Sequence, residues 1–255
     1  SVTADSIDLN DTAYTATTSG ITFTGAVELA ARAGTTTVDS SAAGGAIVLT
    51  STVDDASSDT ALTLDAGAGS VTTAGTIGGN AGIGGFTVNA ASQADLAAIE
   101  DAATITVTAD NIDLNADTYT ASSGPLTLTG DVDLDFAGGA VALTTTDEAL
   151  TVTGTIDDDL AGDSALTLAT GSGSVDLQGD VGGSTALGVF TVASATLADL
   201  AAVTASSLAV TADMIALNDT DYTATTGGIT LAGAVELAAG AVTTTVDSST
   251  GGGAI

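Results

Sequence analysis

The chain has 255 residues, 44% of them hydrophobic, with no Cys, His or Trp, one Pro, and 32 acidic residues against a single Arg. A formal net charge of −31 excludes nucleic acid and anionic membrane surfaces as partners, since both need Lys and Arg to neutralise phosphate. The lack of His, Cys and Lys removes catalytic triads, thiol nucleophiles and Schiff bases, and no apolar run reaches the ~20 residues of a membrane helix.

In chain order, VTADSIDLNDTAYTA (2–16) reads as strand and turn, followed by ITFTGAVEL (21–29). In the latter, Ile21, Phe23, Val27 and Leu29 keep one parity while Thr22, Thr24 and Glu28 take the other, the mark of a strand with one buried face. VDSSAAGGAI (38–47) runs into VLTSTVDD, a strand with an acidic exit turn, and ALTLDAGAGSV (61–71) adds a strand and a glycine corner. FTVNAASQADLAAI (86–99) follows, and QADLAAIEDAA (93–103) predicts a short helical turn. The chain then starts over: VTADNIDLNADTYTA (107–121), LTLTGDVDL (126–134), TIDDD (155–159), ALTLATGSGSV (165–175) and FTVASATLADLAAV (190–203). A third round opens with VTADMIALNDTDYTA (210–224) and ITLAGAVEL (229–237). Residues 1–47 and 209–255 are identical at 36 of 47 positions, so the long period is 103 to 105 residues. Inside it, strand-like starts recur every 16 to 24 residues.

A repeat of about 20 residues nested in a longer one predicts a solenoid, whose coils bury their apolar faces only by stacking on neighbours. The expected fold is all-β: one continuous parallel β-helix over residues 1–255, with internal repeats 1–104, 105–207 and a partial 208–255. Five coils per long repeat give about twelve coils and a rod of roughly 58 Å. The alternative is a string of tandem β-sandwich domains, against which stand the sparse aromatics, the short inner beat and the half-length last copy. Asn10, Asn115 and Asn218 are expected at turns, since Asn tolerates left-handed backbone. Tyr14, Tyr119 and Tyr222 recur at the long period and are expected to be partly buried beside a turn.

Chemistry has few candidates. Asp54 and Asp55, with Asp157, Asp158 and Asp159, mark one repeated corner; Asp131, Asp133 and Asp135 line one strand. Calcium takes six to eight oxygens, so these carboxylates with turn carbonyls are its candidate ligands and calcium the one candidate cofactor. The competing reading is a solvated negative corner that discourages lateral aggregation. Asn10 and Asn218 head N-x-T sequons and are candidate glycan acceptors, whereas the middle copy reads NAD. Arg32 beside carboxylates would suit polysaccharide cleavage, but it aligns with Ala137 and Gly240 in the other copies and no aromatics gather to hold a sugar. The chain is expected not to be an enzyme.

LTLTGDVDL, ALTLDAGAGSV and VTADNIDLN resemble the repeat tracts of very large secreted bacterial proteins of the filamentous-haemagglutinin and repetitive-adhesin kind. The resemblance implies an extracellular or cell-surface β-helical fibre and carries over no functional residue, because the shared pattern is structural. The expected role is therefore a structural component of an extracellular filament, sheath or surface layer, self-associating end to end or laterally. The alternative is the stalk of a cell-surface adhesin, calcium-dependent in one version. The uncapped motifs at SVTAD and GGGAI are read as a window on a longer array, or as ends that join head to tail.

Overall fold

Short strands that alternate Thr with Val, Leu or Ile gain little alone, but stacked in parallel they bury one face and pair both edges. The computed structural model shows that solution. It describes residues 1–31, 34–57, 59–90, 92–136, 138–238 and 243–255. Among these lie twenty-five strands and no helix, and every pairing between strands is parallel. The chain winds as a β-solenoid of about ten turns, fewer than the twelve expected, so the rod is roughly 48 Å long.

Each turn has three sides, seen by following register from turn to turn. On the first side Ile7 stacks under Val27, Val53, Ile77, Ile99 and Tyr119, and the column continues to Leu231. On the second, Tyr14 leads through Val38, Leu64, Val88 and Val107 to Leu237. On the third, Ile21 leads through Ile47, Val71, Ala94 and Ile112 to Val246. These inward columns form the core: Val38, Leu64, Val88 and Val107 are all fully buried. Small branched side chains fill the narrow interior, which is why so few aromatics suffice.

The long repeat is out of step with the coil. Five turns carry the first column from Ile7 to Tyr119, yet the counterpart of Ile7 is Ile112, one side earlier on the third side. Five more turns lead from Ile112 to Tyr222, and the next counterpart, Ile215, again falls one side short, on the second side. The repeat is thus five turns less one side, or fourteen sides, and not the five whole coils expected. The cause is length: the five turns to Tyr119 span seven residues more than the repeat from Ile7 to Ile112, and seven residues is about one side. Successive copies of every motif face three different directions.

Three further expectations are corrected. Residues 93–103 form strands, Gln93–Leu96 and Ile99–Ala102, because pairing with the turns on both sides outweighs a local helical tendency. Asn10, Asn115 and Asn218 do sit at corners between strands, as expected, but without left-handed backbone; among the described residues only Asp147 (φ 59°) has it outside glycine. Tyr119 and Tyr222 are fully rather than partly buried, each donating its hydroxyl hydrogen to a carbonyl one turn below, Leu96 O at 2.7 Å and Leu200 O at 2.8 Å. Burial raises both phenols, that of Tyr222 to about 12. Tyr14, half-buried, instead accepts the Asp11 N–H at 3.0 Å and packs edge-on to Phe23. Tyr119→Phe is therefore expected to cost about 1 kcal/mol in urea unfolding, because it keeps the packing but removes one buried hydrogen bond to Leu96 O, which still accepts the Asn115 N–H at 3.0 Å. Tyr14→Phe should cost less.

Candidate functional site

The triplet apolar–acid–Leu recurs through the chain: IDL at 7–9, VEL at 27–29, ADL at 94–96, IDL at 112–114 and VDL at 132–134. Alternation sends the two apolar residues inward and the acid outward. Parallel stacking in register then sets like upon like. On the third side Asp95, Asp113, Asp133 and Asp157 occupy one column over four successive turns. On the first side the column is Asp8, Glu28 and Asp54. On the second, Asp176 lies under Asp199, Ala216 interrupts, and Glu236 follows. The one-side offset of the repeat thus distributes acidic ladders over all three sides.

Carboxylates one strand spacing apart, about 4.8 Å, repel by roughly 1 kcal/mol per pair in water and severalfold more where water is scarce. Amides offset part of this. Gln93 donates to the Asp113 carboxylate from the turn below, Asn115 to Asp95 and Asn218 to Asp199, while Asn111 donates to Asp113 at 2.8 Å. The residual strain shows in the titration. Burial, then the charge of Asp135, raises Asp95 against the lowering effect of Asn115. Asp113 is raised by burial, against the lowering effect of Gln93, with Asp133, Asp95 and Asp135 adding to the rise. Asp199 is raised by burial and by Asp176.

The sequence-predicted acids divide into two sorts. Val132 and Leu134 point inward, with Asp131 and Asp135 exposed and Asp133 half-buried in the ladder, as alternation predicts. The corner acids are not the solvated cluster considered above. Asp55, Asp157 and Asp158 are buried, and only Asp159 is exposed. The first acid of each pair holds the loop of the next turn: Asp54 accepts from Asn80 N (2.8 Å), Asn80 Nδ2 (3.0 Å) and Ala81 N (3.2 Å), and Asp157 from Ser184 N (2.8 Å) and Thr185 N (3.0 Å). The second acid caps its own loop: Asp55 accepts from Asp59 N (2.7 Å) and Thr60 N (2.6 Å), and Asp158 from Asp163 N and Ser164 N (2.8 Å each). Among the described residues no three carboxylates converge at metal-binding distance.

Asn10 and Asn218 are exposed, and the Asn218 amide is engaged with the second-side ladder. Arg32 lies outside the described residues. The ladder residues Asp95, Asp113 and Asp199 escape a reading of the sequence by acidic clusters, because stacking brings them together from turns about 20 residues apart. The signal that finds them is the recurring apolar–acid–Leu triplet. A second recurring surface feature is a shallow corner groove lined by Thr108, Asp110, Gly130 and Asp131, whose counterpart one repeat later is lined by Thr211, Asp213 and Ala232. Neither protein-family models, nor curated proteins, nor solved structures give a match to this chain.

Proposed function

We propose that this chain is a structural element of an extracellular filament, sheath or surface layer, and that its working surface is the set of acidic ladders. The observation that carries the reading is the fourteen-side repeat. A repeat of whole turns would place every ladder on one side and favour a flat, one-sided assembly. Fourteen sides turn each successive copy by a third of a revolution, so equivalent surfaces face three directions, staggered by roughly 22 Å along the rod. In a tandem array the pattern returns to the same side after three repeats, at roughly 67 Å. Such a rod suits bundling with several neighbours, provided that counter-ions screen its charge. Its partners are then copies of itself, end to end or side by side, and its place is outside the cell, as the resemblance to giant secreted repeat proteins implies.

Negative-stain electron microscopy and light scattering of the purified chain, from 0.05 to 1 M KCl and with millimolar calcium, test this. Association that grows with screening, into rods or bundles with contacts spaced near 22 Å, is expected. A chain that stays strictly monomeric under all these conditions would refute the assembly role, and a rod that stays separate while binding a distinct ligand at one end would favour the adhesin-stalk reading.

A further inference from the structure

We propose that the corner at Asp158 binds one calcium ion. Asp158 follows Leu134 in an inward column and is 2% exposed. Its Oδ2 accepts two backbone N–H groups, from Asp163 and Ser164, but its Oδ1 is buried and receives no hydrogen bond. A buried carboxylate oxygen left without a donor is costly, and a native fold supplies a partner from the protein or from solution.

The counterpart corner in the first repeat shows what is missing. There Asp55 Oδ1 accepts from Ser57, from N at 3.2 Å and Oγ at 3.5 Å, while Oδ2 takes Asp59 N and Thr60 N. In the second repeat the loop is one residue longer and runs Asp159-Leu160-Ala161-Gly162, so no hydroxyl follows Asp158 and Leu160 turns outward, 60% exposed. Beside this loop is a small cavity with room for one water-sized species, lined by Asp135, Asp158, Asp159, Asp163 and Ser164, whose hydroxyl is turned to Leu134 O and Phe136 O and so does not reach Asp158 Oδ1.

Its occupant is set by charge. Asp135, Asp159 and Asp163 are exposed carboxylates on the rim, each able to turn toward the cavity, and the only basic side chain of the chain, Arg32, lies in the first repeat. A water would satisfy one oxygen and leave four carboxylates lining one small cavity without a counter-charge; a divalent cation satisfies the oxygen and offsets that charge. Calcium fits better than magnesium because it accepts a flexible shell of six to eight oxygens, completed here by water, whereas magnesium demands a regular octahedron. The carboxylates do not converge at coordinating distance without the ion, so binding draws the Asp135 and Asp159 side chains inward. This site is independent of the assembly proposed above.

Equilibrium dialysis with radioactive calcium in 0.15 M KCl, combined with thermal unfolding, tests it. One saturable site is expected above a weak background from the other carboxylates, with a rise in Tm. Asp158→Asn should abolish that site, and Asp135→Asn with Asp159→Asn, both exposed, should weaken it by about tenfold or more. Asp55→Asn should leave it intact. Weak binding that is the same in the parent chain and in Asp158→Asn, an adventitious ion only, would overturn the proposal. If Asp158→Asn does not fold, unchanged affinity in the Asp135/Asp159 double variant would overturn it equally.

Discussion

Gly130→Ala is expected to destabilise the protein by about 3 kcal/mol or more. Gly130 turns the corner between the second and third sides, where the register slips between Thr108 and Asn111 of the turn below. It has φ 136°, and a Cβ placed there would lie 1.8 Å from the carbonyl oxygen of Ala109. Gly25 is the equivalent residue one repeat earlier, at the corner between the third and first sides, with φ 134° and the same 1.8 Å approach to Ala4 O. The obstacle is backbone of the adjoining turn, which cannot yield without opening the ladder on both sides. Gly162 offers the control: its φ is 77° but nothing lies within 4 Å of an added Cβ, so Gly162→Ala should cost only about 1 kcal/mol. Urea unfolding of the two variants separates the collision from the backbone conformation. Equal, small losses would show that the turns are looser than this packing implies.

Acidification from pH 7 toward pH 5 is expected to stabilise the protein. Asp95, Asp113 and Asp199 are raised above the ordinary carboxylate value of 3.8, chiefly by burial and then by neighbouring acids. The folded chain therefore holds these protons more tightly than the unfolded one, and stability falls as pH rises through the window above 3.8. Asp39, Asp147 and Asp247 act oppositely: hydrogen bonds from Ser41, Ser172 and Ser249 lower them, so their contribution disappears only as pH falls below 3.8. The two sets together place the stability maximum on the acid side of neutrality, below the raised groups and above the lowered ones. Tm should rise by roughly 2–4 °C for each kcal/mol gained, and 1 M KCl at pH 7 should reproduce part of the gain by screening. Asp113→Asn should raise Tm at pH 7 and flatten the profile. A Tm that drops steadily from pH 7 to pH 5 would mean that the ladders are already compensated.

Strand existence and facing were legible because alternation is local: LTLTGDVDL states which side chains go in, and Val132 and Leu134 do so. The acidic ladders were half legible. The outward direction of Asp113 and Asp133 follows from parity, but their mutual contact depends on which residue one turn away shares their register. The corner acids misled for a related reason. Runs such as DD and DDD look solvated, yet Asp55 and Asp158 occupy inward positions and are held there by N–H groups of loops that only the folded chain closes around them. The helical turn expected at 93–103 failed because a weak local preference met continuous pairing on both sides.

What the sequence by itself determined is the kind of object: a repeating, strand-built chain with aliphatic residues inside and the acids of its alternating strands outside, since parity and period are properties of neighbours along the chain. The tertiary structure alone decided how the repeat meets the coil. A turn closes when its strands find register with the turn beneath, and at about seven residues per side each repeat makes fourteen sides, not fifteen. That single missing side, a consequence of hydrogen-bond register between distant segments, is what points successive copies of one motif in three directions.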